Sequence, residues 1–268
     1  MTLRAGRRGT RWGVSTAVLG AALIGCLDLS TDPNAPFALE FEGIAYPSVL
    51  AQDTLRDALG AATPLRAVAL NSDFDEIAAA PISYLSLDTG VTISATGILT
   101  TTRRTGSVRV VAAVGGLQSS SRTIIVSRRP DTTFTEQDTL VQFAYALPDV
   151  GTNTTPELRL RLQTTDTVGG LTANVPGWVV RWRAVHAGDT LAPGDTSLVT
   201  LLSGGGMRSA LDTTTAEGTS VRKLRVWAGR LVASVDSFVV VAEVKLHGVV
   251  VPGSPVRFVV RIAPAVAP

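Results

Sequence analysis

Past residue 36 the chain is written in alternation. "ELRLRLQ" sets Leu158, Leu160 and Leu162 on one face, and "VRFVVRI" does the same with Val256, Phe258, Val260 and Ile262. Apolar residues that recur every second position line one side of a pleated strand, whereas a helix would need spacings of three and four. From Thr139 onward seven such runs can be marked, at about 139–147, 157–164, 178–186, 197–202, 220–228, 236–246 and 254–263, each bounded by turn residues. Trp182, flanked at period two by Val180 and Ala184, is placed to fill the space between two sheets. Seven antiparallel strands over roughly 130 residues predict an immunoglobulin-like sandwich with long loops. The exception to the strand pattern is "DTLRDALGAAT", residues 53–63, which fits a helical turn or a loop.

A second strand-rich block precedes this one. Between Ile82 and Val126 runs "ISYLSLDTGVTISATGILTTTRRTGSVRVVAAVGGLQSSSRTIIV". Its spacing resembles the bacterial immunoglobulin-like group 2 family. Ile82, Tyr84, Ser86 and Asp88 take that family's first core element, Ile93, Ser94, Gly97, Leu99 and Thr100 the second, and Gly106, Val108, Val110 and Ala112 the third, with Ile125 and Val126 ending the domain. Asp53-Thr54 and Leu65–Leu70 resemble its opening strands. The resemblance implies a β-sandwich over residues 37–127, with Tyr84 in place of the usual inter-sheet Trp and its hydroxyl in need of a partner. Gly97 suits a tight connection that demands positive φ. The later block, through "TTTAEGTSVRKLRV", "DSFVVVAEV" and "GSPVRFVV", is similar to invasin-type immunoglobulin-like domains. Between the blocks lies the polar "SRRPDTTF", where Pro130 has no N–H to give a ladder. The expected fold class is therefore all-β: two tandem immunoglobulin-like antiparallel sandwiches at 37–127 and 136–268, joined by a linker at 128–135.

The first 25 residues follow a different rule. "MTLRAGRRGTRW" carries four arginines and no acid, then Gly13 to Gly25 form an apolar run of 13 residues, and polar "DLSTDPNAP" follows. A membrane span needs about 20 apolar residues, so the layout is that of an export signal. At its end Leu23, Ile24, Gly25 and Cys26 resemble the lipobox of bacterial lipoproteins. That resemblance implies diacylglyceryl transfer to the Cys26 thiol, cleavage before it, and a tether over residues 26–36. At about 3.3–3.6 Å per residue this tether reaches no more than roughly 35 Å. Two or more acyl chains make such an anchor stable, where one holds only reversibly. Leu27 stands where an Asp would favour inner-membrane retention, so the expected location is the cell envelope at the outer membrane.

Cleavage changes the charge balance. The whole chain has 24 basic and 22 acidic residues, but loss of the four leader arginines leaves a formal charge of −2. Nucleic-acid binding needs basic residues clustered on one face, and the pairs Arg103-Arg104 and Arg128-Arg129 read as isolated turn and linker charges. With Cys26 the sole cysteine, no internal disulfide is available, and stability must come from packed cores.

Candidate chemistry is sparse. His186, with Asp189 and one of many serines, can be imagined as a triad, but no nucleophile elbow is present and His186 reads as a solvated turn residue. His247 precedes Gly248 in an expected hairpin. Two distant histidines and a lipid-bearing cysteine argue against zinc. "NSDFDEI" offers Asn71, Asp73, Asp75 and Glu76 to calcium, yet lacks the EF-hand Gly and Glu, and turn chemistry explains it. "LLSGGGMRS" lacks the Lys-Ser/Thr of a phosphate loop. The reading is a non-enzymatic, lipid-anchored envelope protein without cofactor or metal. Its partners would be the membrane through Cys26 and a protein or glycan, with no nucleic acid. It would serve as spacer, adhesion or protein-interaction module. The alternative is a glycan-binding module stacking sugars on exposed Trp178 or Trp227, and an envelope hydrolase comes last.

Overall fold

The computed structural model describes residues 35–147, 153–165, 172–192, 198–231 and 234–265. Cys26, the expected export signal and most of the expected tether lie outside them. The first block contains β1 (Ala38–Gly43), β2 (Ser48–Leu50), β3 (Arg66–Leu70), β4 (Ser83–Ser86), β5 (Val91–Ile93), β6 (Leu99–Thr101), β7 (Gly106–Val114), β8 (Leu117–Gln118) and β9 (Arg122–Ser127). The second contains β10 (Thr132–Phe134), β11 (Leu140–Tyr145), β12 (Leu158–Thr165), β13 (Thr172–Asn174), β14 (Val179–His186), β15 (Asp189–Thr190), β16 (Val199–Leu202), β17 (Leu211–Thr213), β18 (Thr219–Val226), β19 (Asp236–Glu243), β20 (Lys245–Leu246), β21 (Val249–Val250) and β22 (Val256–Pro264). Among the described residues no helix is long and apolar enough to cross a membrane.

The second block is an immunoglobulin-like sandwich by strand order. One sheet runs β10-β12-β18-β16 and the facing sheet β11-β22-β19-β14. In chain order these are the A-B-E-D sheet and the C-F-G sheet of that fold. The alternation seen in the sequence is what fills the space between them. Leu158, Leu160, Leu162, Leu224 and Val226 face inward from one sheet, and Val180, Trp182, Phe238, Val240, Phe258, Val260 and Ile262 from the other. Trp182 is fully enclosed and stacks on Phe258 at 6.1 Å between centroids. All seven predicted runs from Thr139 are strands, with ends moved by a few residues.

Two inward positions on β18, Ser220 and Arg222, break the apolar rule. Arg222 is 1 % exposed. Its charge is held by Asp212 on β17 at 3.0 Å, its Nε donates to the Ser209 carbonyl and its Nη2 to the Leu211 carbonyl. Asp212 Oδ2 also accepts from Ser220 Oγ and the Val221 N–H, and Ser220 Oγ in turn accepts from Trp182 Nε1 at 2.9 Å. The guanidinium, carboxylate, hydroxyl and indole groups of this network all have partners, which is the condition for tolerating a charge in a core.

The first block repeats the plan less regularly. One sheet runs β2-β9-β7-β4, while the facing layer consists of the separate pairs β1-β3 and β5-β6. Leu39, Phe41, Leu55, Leu65, Leu99, Val108, Val110 and Ile124 are buried between them. Gly97, at φ +82, closes the turn that joins β5 to β6. Residues 53–63 form no helix. Leu55 N–H donates to Leu99 O, Thr101 N–H to Asp53 O, and Arg56 bridges Ala62. The reversal is closed by Asp57 Oδ1, which accepts from Leu59 and Ala61 N–H. Tyr84 is not the inter-sheet centre that the group 2 resemblance implies. It is half-buried, 6.1 Å from Phe41, and its hydroxyl is met by the Ala67 backbone while burial raises its pKa.

Two expectations need correction. The pairing is not wholly antiparallel, because β2 runs parallel to β9 and β11 parallel to β22. In each sandwich the opening strand breaks and its second half crosses to the other sheet, where it meets the last strand running the same way. The linker is also shorter than 128–135. Thr132–Phe134 pairs with β12 as β10, leaving only Arg128–Asp131 between the blocks.

Candidate functional site

The short connector forces the two sandwiches against each other, and the contact is built from both. Tyr46, between β1 and β2, is 8 % exposed, and its ring packs on Trp178 of the second block at 5.1 Å. Its hydroxyl accepts a hydrogen bond from the Val179 N–H at 3.2 Å. Burial pushes the Tyr46 pKa up to about 12, against the opposing pull of that N–H. Trp178 is fixed from its other side: its N–H donates to Thr214 Oγ1 at 2.8 Å and its Nε1 to the Lys245 carbonyl at 3.1 Å.

Pro176-Gly177 carries the pairing that a type II turn requires, Pro first and a positive-φ Gly second. Gly177 has φ +70, and a Cβ there would lie 2.7 Å from the Ile125 side chain across the junction. Ser127 Oγ, ending the first block, donates to the Pro176 carbonyl. On the far side the β20–β21 turn, with His247 at φ +49, presses on the first block at Gly60, where a Cβ would lie 2.8 Å from that of His247. An aromatic pair, interlocked glycines and hydrogen bonds cross the boundary and make the junction a close-packed contact. Open clefts surround it. One of about 600 Å³ includes Val249, Val250 and Pro252, and one of about 400 Å³ is lined by Arg104, Arg128 and Arg129.

The singled-out residues fall mostly elsewhere. His186 is not a solvated turn residue. It ends β14 half-buried, its Nε2 is 2.8 Å from Asp236 Oδ2, and its ring stacks on Phe238 at 4.7 Å. Its carboxylate is therefore Asp236 rather than Asp189, which only faces it across the β14–β15 hairpin. No serine, threonine or cysteine is bonded to either histidine among the described residues. In "NSDFDEI" the Asn71 side chain accepts from the Asp73 and Asp75 N–H groups, closing an exposed turn. Among the described residues no three His, Cys, Asp or Glu side chains gather to hold a metal. "LLSGGGMRS" is a hairpin turn, with Ser203 N–H donating to Met207 O and Met207 N–H to Ser203 Oγ.

Trp178 is 3 % exposed and has no face free for a sugar. Trp227 is half-buried, with the Arg225 guanidinium 3.9 Å from its centroid and its Nε1 donating to Thr200 Oγ1. Tyr46 went unnoticed in the sequence. An aromatic before Pro47 in an irregular segment offers no periodic signal, and its partner is more than a hundred residues away.

Strand order and joint together define a two-domain, all-β protein of tandem immunoglobulin-like sandwiches. No family model matches the chain and no curated protein matches it, so the group 2 and lipobox resemblances stand on the residues quoted for them. Among solved structures, domains 4 and 5 of the S-layer protein SbsC are 13 % identical with a TM-score of 0.28, covering 84 % of this chain and 96 % of that one. The adhesin InvE of Yersinia pseudotuberculosis is 13 % identical with a TM-score of 0.31, covering 83 % and 58 %. The D00-D0 domain of intimin is 11 % identical with a TM-score of 0.25, covering 82 % and 99 %. Scores this low carry no functional weight, and the fold rests on the strand order itself.

Proposed function

We propose that this chain is a non-enzymatic, lipid-anchored protein of the cell envelope, in which two immunoglobulin-like sandwiches act as one stiff spacer or adhesion module. The observation that supports it is the joint: Tyr46 on Trp178, with Ser127 and Val179 hydrogen-bonded across the boundary. A flexible pair of modules has no use for such a contact, and a spacer that must hold its distal end away from a surface does. Cys26 supplies the address, since diacyl attachment twelve residues before the first strand would set the first sandwich close to the bilayer and the second beyond it.

The test of the address is mass spectrometry of the mature N-terminus together with fractionation of Cys26→Ala. The expected result is a diacylated chain starting at Cys26 in the membrane fraction, and a soluble Cys26→Ala variant. A wild-type chain that is soluble, or that starts elsewhere, contradicts the anchor.

A further inference from the structure

Arg104 of the first arginine pair meets both arginines of the second in space. β7 runs antiparallel to β9 with Gly106 opposite Val126. The turn before β7, which carries Arg104, and the connector after β9, which carries Arg128 and Arg129, therefore reach the same edge of the first sandwich. There they line one cleft of about 400 Å³ whose other walls include Gln52, Thr164 and Thr165. No carboxylate lines it, and none of the three arginines makes an ion pair among the described residues. One acid, Asp131, lines the neighbouring cleft; its Oδ2 accepts from Thr165 N–H at 2.7 Å and Thr164 Oγ1 at 3.3 Å, and its Oδ1 has no hydrogen-bond partner. The cleft continues through Arg129, Thr164 and Thr165 into the neighbouring one of about 600 Å³, so the groove is long and open.

We propose that this groove binds a segment of an acidic polysaccharide, with its anionic groups on Arg104, Arg128 and Arg129 and its hydroxyls on Gln52, Thr164 and Thr165. Three like charges in one cleft with no carboxylate in its lining attract an anion, and a guanidinium forks onto carboxylate, sulfate or phosphate oxygens. An open groove grips a lone ion weakly but gains from a chain that presents successive charges. No Phe, Tyr or Trp lines either cleft and His247 is the one aromatic ring there, so the successive stacking platforms that single-stranded nucleic acid uses are missing. The site does not depend on the lipid anchor, and it differs from sugar stacking on Trp178 or Trp227.

The test is titration of the full chain with fluorescent oligosaccharides of about eight sugars, heparin-derived and polygalacturonate, beside a neutral maltooligosaccharide, inorganic phosphate and a single-stranded DNA of similar length. The acidic oligosaccharides should bind and the neutral one should not, and binding should fade between about 0.05 and 0.5 M salt. The triple variant Arg104→Ala, Arg128→Ala, Arg129→Ala should weaken binding about tenfold or more with an unchanged melting temperature. The charge-matched variant Arg122→Ala, Arg257→Ala, Arg261→Ala should leave it within about twofold. Equal losses in the two triple variants, no acidic binding, phosphate binding as tightly as the oligosaccharides, or tighter binding of DNA would each overturn the proposal.

Discussion

Tyr46 offers a way to read the joint from solution. Its hydroxyl is buried against Trp178 and accepts from the Val179 N–H, and burial pushes its pKa up to about 12, two units above the ordinary phenol. In the unfolded chain it titrates near 10. Between those values the unfolded state has lost its proton and the folded state has kept it, so stability falls as pH rises through the window. With pKa values of 10 and 12, the loss from this one group at pH 11 is about 1.4 kcal/mol. Other groups titrate there too, so the informative quantity is a difference. At pH 8 Tyr46→Phe strands the Val179 N–H and should cost about 1–3 kcal/mol. At pH 11 the same substitution should cost about 1.4 kcal/mol less, because the phenylalanine escapes the titration. Urea unfolding followed by tryptophan fluorescence, on both proteins at both values, measures this. If the gap between wild type and Tyr46→Phe is the same at pH 8 and pH 11, the phenol is solvated and the joint is not closed as described.

Asp212→Ala should leave Arg222 charged and unpaired in the core and cost about 3–5 kcal/mol in denaturant unfolding; adding Arg222→Met should recover most of it. Failure of the double variant to recover would show that the pair is not what holds β17 to β18. Gly177→Ala should cost about 2–4 kcal/mol, from positive φ and the close approach to Ile125 together, and Ile125→Ala in that background should restore part of it. Trp182→Ala should cost about 3–5 kcal/mol and disorder the second sandwich first, read by near-ultraviolet dichroism.

Where one face of a strand packs on a core, its residues announce themselves. Leu158, Leu160 and Leu162, or Val256 through Ile262, could be assigned to a buried face from spacing alone, because burial every second residue is the same fact in sequence and in structure. Short pieces such as β13, β15 and β17 were not legible. Two or three residues show no period, and their place is decided by the edge they pair with. The parallel edge pairs were hidden for a related reason, since strand direction is a property of the crossing and not of the alternation. Arg222 occupied an inward position among apolar neighbours, but its tolerance depends on Asp212, which lies on another strand. The joint and the basic cleft were the least legible of all. Tyr46 with Trp178, and Arg104 with Arg128 and Arg129, become neighbours only when distant chain segments are folded together.

The central claim, that two sandwiches behave as one stiff unit, is tested most directly by pulsed electron–electron double resonance between spin labels at Ala95→Cys in the first sandwich and Met207→Cys in the second, both exposed, in a Cys26→Ser background. A single narrow distance distribution that broadens on Trp178→Ala is the predicted result. A broad distribution in the parent, unchanged by Trp178→Ala, would contradict the account.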